Sequence, residues 1–174
     1  MKKQNANYID AEWKAKKVLD DNCLLEPPII AKDLAEKYGL EVRFVRFEQK
    51  YRNVAGFIQS KDGLATIYIN AEDAPVRQNF TIAHELGHYL LGHVGKPGYE
   101  VLLRTPINKE DKTAMEQEAD CFAANLLVPE NMLKDYLRKY RFISNIELSK
   151  LFGVSEDVIG FRKKHLDIGS RLHA

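Results

Sequence analysis

Two histidines four residues apart inside an apolar helical run, His84 and His88 of the stretch HELGH, constrain this chain more than any other feature. The periodicity predicts a helix over Val76 to Leu91, with Phe80, Ile82, Ala83, Leu86, Leu90 and Leu91 apolar. Residues four apart on a helix lie one above the other, so both imidazoles can close on a single metal ion. Glu85 flanks that ion. A carboxylate beside a zinc-bound water is what amide hydrolysis requires, since it takes the proton of the attacking water and returns it to the leaving amine. Gly87, between the two histidines, costs about 1 kcal/mol in a helix interior relative to alanine, which predicts that another backbone or a substrate comes close there.

A third ligand is expected on a second helical pattern, Lys112 to Val128, whose apolar positions are Ala119, Phe122, Ala123, Leu126 and Leu127. Glu116 and Asp120, four apart, share a face, whereas Glu118 is rotated by roughly 200° from Glu116 and points elsewhere. Glu116 is therefore taken as the ligand. Asp120 is expected to accept the second ring N–H of a ligating histidine, His84 by preference, fixing its tautomer. On their own the two acids would read as a solvated helix face beside Lys109 and Lys112; the HELGH helix reverses that reading.

Other zinc arrangements fit less well. A metzincin places a third histidine six residues after the second, where this chain has Val94, and His93 falls one residue short. His93 is expected at the helix end, just before Gly95 and Pro97, where an imidazolium or Lys96 complements the helix dipole. A substrate-binding or transition-state role is the alternative for His93, and Tyr99, with Tyr89 and Arg104, is a similar candidate.

HELGHYLLGH followed by EQEADCFAANLLVP resembles the ImmA/IrrE family of small zinc endopeptidases, in which a motif of the type ExxA(N/D)xFAxxLLxP follows the HExxH helix. The resemblance extends from about residue 10 to 166: Pro27 and Pro28 leading into IIAKDLAEKYGLEV, then VAGFIQ, LATIYIN and finally NIELSKLFGVSEDVIGFRKKHL. It implies one zinc ion at His84, His88 and Glu116, with Glu85 as the base. Asp120 stands where the family often has asparagine. The resemblance further implies a protein substrate, namely a helix-turn-helix repressor of a phage, mobile element or stress regulon.

Composition agrees with one compact unit. At 174 residues and 45% hydrophobic content the chain can build a full core without disulfides. Its 26 basic and 25 acidic side chains nearly cancel, so no global charge points to nucleic acid, membrane or a polyacidic substrate. Cys23 and Cys121 lie in apolar helical patterns and are expected as buried thiols of a reducing compartment. No run approaches the roughly 18 to 20 apolar residues of a membrane span, and no apolar signal opens the chain, so a cytoplasmic location is expected.

The expected class is α+β. Helices over Ala11 to Asp21, with Trp13, Val18 and Leu19 on the apolar face, and over Ile30 to Tyr38, ended by Gly39, precede strands at Leu40 to Phe47, Ala55 to Gln59 and Leu64 to Asn70. The expectation is a small antiparallel sheet packed on a metal-binding helical core, the minimal gluzincin-like arrangement, with Asn53 to Gln59 as a candidate edge for an extended substrate. Gly95 to Lys112 reads as a loop. Residues 1–140 would form the zinc peptidase unit and 141–174 helix-turn-helix-like helices packed into the same domain. In the latter, Ile146 to Leu151 and Glu156 to His165 flank Gly153, Val154 and Ser155, with Arg162, Lys163 and Lys164 on the later helix. A DNA reader would present the start of that helix to DNA, yet Glu156 and Asp157 stand there, so scaffolding or partner docking is expected over direct DNA binding. The competing class is a DNA-associated regulator or antitoxin-like binding protein with a structural or vestigial metal site.

Overall fold

The computed structural model describes residues 5–61, 63–96 and 113–167. Seven helices and a three-stranded sheet follow one another in the order α1 (Tyr8–Asp21), α2 (Ala31–Lys37), β1 (Glu41–Val45), β2 (Gly56–Lys61), β3 (Leu64–Asn70), α3 (Pro75–Leu90), α4 (Ala114–Leu127), α5 (Glu130–Lys139), α6 (Asn145–Phe152) and α7 (Glu156–His165), among the described residues. Most expected elements lie within a few residues of their positions, and the class is α+β. The Gly95 to Lys112 stretch lies mostly outside the described residues, and Tyr99 and Arg104 with it.

The sheet is mixed rather than antiparallel. Its order is β1-β3-β2, with β2 antiparallel to β3 and β1 parallel to it. A meander would put β2 in the middle. Instead β3 takes the centre, because its alternate residues Ala65, Ile67 and Ile69 are all apolar and buried in the core. The chain between β1 and β2 crosses from one edge to the other, and both strands are tied to the end of β3 by Ala71 N–H to the Val45 carbonyl and Asn70 N–H to the Ala55 carbonyl, each at 2.9 Å. β2 is thereby an edge strand.

α3 is fixed at its start by polar contacts and along its length by packing. Pro75 occupies the first turn, where a missing N–H costs nothing. Gln78 donates to the Asn70 carbonyl at 2.9 Å, and Asn79 accepts from Ala31 N–H and donates to the Ile29 carbonyl, joining α3 to β3 and α2. α4 starts at Thr113, whose hydroxyl accepts the Glu116 N–H. α1 packs along α4 through Ala11, Ala15, Val18 and Leu19, and its Lys14 donates to the Leu90 carbonyl at the end of α3. Trp13, expected on the apolar face, is 59% exposed, while Ala11 and Ala15 are fully buried.

The last helices join the same hydrophobic core through Leu148, Phe152, Val154 and Ile159. Ser144 and Glu147 form a capping box on α6, Gly153 turns the chain with φ +65°, and Ser155 caps α7. Arg162 does not face solvent with the basic run around it. It is 1% exposed, and its Nε donates to the Val128 carbonyl at the end of α4 at 3.0 Å. The two cysteines are unpaired thiols. Cys23 is exposed rather than buried, since it follows the cap of α1 with φ +53°. Cys121 is partly buried, and burial pushes its thiol up to about 11. None of the described helices is long and apolar enough to cross a membrane.

Candidate metal centre

α3 and α4 are pressed together around Gly87. A Cβ at that position would meet Phe122 Cδ1 at 2.9 Å, inside normal contact, so what comes close is an aromatic side chain of α4 rather than the backbone or substrate expected. This approach brings the N-terminal turns of α4 against the second half of α3. His84, Glu85, His88 and Glu116 are all buried there.

Three of these side chains converge. His84 Nε2 lies 3.0 Å from His88 Nε2 and 3.3 Å from a Glu116 oxygen, and His88 Nε2 lies 3.1 Å from the other Glu116 oxygen. They form the metal-competent group of His, Cys, Asp and Glu side chains found among the described residues. Metal–ligand bonds of about 2.0–2.1 Å in a tetrahedral arrangement separate ligands by about 3.3 Å, so the spacing suits one small ion. Two imidazoles and a carboxylate are also the donor set that catalytic zinc sites use.

The titration directions agree. Burial lowers His88 to about 4 against the Glu116 contact, which favours the neutral ring that metal binding needs. Burial alone would raise the Glu116 carboxyl; its contacts with the His84 and His88 rings outweigh burial and hold the group below the ordinary carboxylate range.

Asp120 sits as its phase with Glu116 requires. Its Oδ1 is 2.9 Å from His84 Nδ1, which puts the ring proton on Nδ1 and turns the Nε2 lone pair toward the cluster. Glu118 points away from Glu116, toward His93 and the start of α1.

His93 departs from the expectation. α3 ends at Leu90, and Gly92, with φ +66°, folds the chain back so that His93 N–H bonds the His88 carbonyl and Gly92 N–H the Tyr89 carbonyl. The imidazole is 1% exposed. Its Nδ1 is 3.0 Å from His88 Nδ1 and its Nε2 is 2.8 Å from Glu118 Oε2, and burial pushes its pKa down. The ring is packed behind His88. Tyr89 is 39% exposed, and Tyr99 lies outside the described residues.

Comparison with known proteins agrees with this geometry. The profile of the peptidase family described as the IrrE N-terminal-like domain matches residues 35–164, most of the chain. The metallopeptidase ImmA of Bacillus subtilis (strain 168) is 27% identical over 107 residues, which cover 62% of this chain and 61% of that protein. Among solved structures, a Mycobacterium tuberculosis transcriptional regulator superposes with a TM-score of 0.61 at 15% identity, covering 88% of this chain and 55% of that one. The chain thus spans under two thirds of each of these relatives. That last likeness concerns the fold alone. With the family profile covering both the HELGH helix and the helix of Glu116, the chain belongs to the ImmA/IrrE family of metallopeptidases.

Proposed function

We propose that this protein is a zinc-dependent endopeptidase that hydrolyses a peptide bond in a specific cytoplasmic protein. The reading is carried by one observation: the buried convergence of His84 Nε2, His88 Nε2 and Glu116, with Glu85 buried on the same helix. His84, His88 and Glu116 would hold the ion and leave a fourth position open. Bound there, zinc supplies a Lewis acid for the scissile carbonyl and lowers the pKa of the attacking water toward about 7. Glu85, one residue from one ligand and three from the other, would serve as the base that takes a proton from the attacking water and returns it to the leaving amine. Asp120 keeps the His84 ring oriented through the contact at Nδ1.

The edge strand β2 supports an extended substrate. One side of β2 pairs with β3, and the other side turns main-chain N–H and C=O groups outward, so a peptide can add there as a further strand. The substrate class, a helix-turn-helix repressor, rests on the family resemblance. Two features support partner docking over DNA reading for α6 and α7: Arg162 is spent inside the protein, and Glu156 and Asp157 open α7.

The experiment is to incubate the zinc-loaded protein with candidate repressors beside its Glu85→Gln variant. Cleavage by the wild type and its reduction by at least about a hundredfold in Glu85→Gln, with zinc still bound, is the expected result. Undiminished cleavage by Glu85→Gln would remove Glu85 as the base.

A further inference from the structure

The two histidines of the centre are oriented differently. His84 meets a carboxylate directly, at Asp120, whereas His88 meets the ring of His93. Starting from the far end of that second chain, the proton positions can be assigned one by one. Glu118 Oε1 accepts the Asn7 backbone N–H at 2.6 Å, and Oε2 lies 2.8 Å from His93 Nε2. An ionised carboxylate only accepts, so His93 Nε2 carries a proton. A neutral imidazole protonated at Nε2 keeps its lone pair on Nδ1. That lone pair is 3.0 Å from His88 Nδ1, so His88 carries its proton on Nδ1. His88 Nε2 is then a lone pair, and it is the atom that faces His84 Nε2 and Glu116.

We propose that His93 and Glu118 are positioning residues that hold His88 in its metal-binding tautomer through a ring-to-ring relay ending on the backbone of Asn7. The inference deepens the three-ligand reading above and rests on it. Glu118 lies on the opposite side of α4 from Glu116 and Asp120 and reaches His88 only through His93, which the Gly92 turn sets in place. The role needs a carboxylate: an amide at position 118 would present its NH2 either to the Asn7 N–H or to His93, and in the second case every proton in the relay reverses. Because Asn7 caps α1 and accepts from Asp10 N–H, the relay also ties the first turn of α1 to the metal centre.

Two measurements test this. Long-range 15N–1H spectra of the imidazoles, recorded on zinc-loaded and on metal-free protein, should show the proton of His88 on Nδ1 and that of His93 on Nε2; a proton on His88 Nε2 in the metal-free protein overturns the relay. Zinc affinity by competition with a chromophoric chelator should fall about 10–100-fold in His93→Phe and in Glu118→Gln. His93→Asn places an amide oxygen as many bonds from Cα as the lost Nδ1, and it should recover most of the affinity. Wild-type affinity in His93→Phe, or equal loss in the Phe and Asn variants, would reduce His93 to a packing residue and overturn the proposal. A wild type that takes up no zinc defeats the metal reading instead, and the metal-free spectra still decide the relay.

Discussion

The metal centre and the C-terminal helices each bury charge-bearing groups, and they do so in opposite ways. At the centre, acceptors are in surplus: two imidazole nitrogens and a carboxylate converge within 3.3 Å, and the rings around them are held by further carboxylates. In the C-terminal helices a donor is in surplus: Arg162 makes one hydrogen bond through Nε, and its Nη2 has no partner among the described residues. A surplus of acceptors arranged at ligand spacing suits a cation. A buried cation held by one carbonyl is a fastener, tolerated because its aliphatic stem fills space between α7 and the end of α4. Burial lowers the Arg162 pKa, offset by Cys121, Glu12 and Glu130, which marks the cost of keeping that charge inside.

Substitutions at each region should separate these roles. Arg162→Ala removes the bond to Val128 and leaves a cavity, and it should cost about 2–4 kcal/mol in chemical denaturation. Arg162→Met keeps most of the volume and removes a desolvated charge, so its cost should stay under about 1.5 kcal/mol. Equal losses in the two variants would show that the guanidinium is better satisfied than its contacts indicate. Gly87→Ala acts at the other region. The added methyl meets the fully buried Phe122 ring, so the gain in helix propensity is outweighed, and a net loss of about 1–2 kcal/mol and roughly 2–8 °C in Tm is expected. Zinc affinity should fall with it, because Gly87 sets the spacing of the ligand helices; an unchanged affinity would detach the α3–α4 contact from the centre.

The sequence carried the two regions unequally. His84, His88, Glu116 and Asp120 were legible because a helix advances about 100° per residue, so spacing alone decides which side chains share a face. The strand order was not, since register along one strand says nothing about which strand stands beside it. His93 was read as a helix-end residue, whereas it follows the end of α3 and its ring is buried. The signal was Gly92 after the last apolar residues, which ends α3 and reverses the chain. Arg162 read as part of the basic run Arg162, Lys163, Lys164, although it lies three residues after Ile159 and four before Leu166, on the stripe that packs inward. Trp13 failed for a different reason: apolar character does not decide between a large residue and an alanine where two helices pack closely.

The most direct test of the central claim is the metal content of protein purified without added metal or an affinity tag, for the wild type and for His84→Ala and Glu116→Ala. The account predicts close to one zinc per chain in the wild type and its loss in both variants. Full zinc retention in both variants, or a wild type that binds none at micromolar metal, would contradict it.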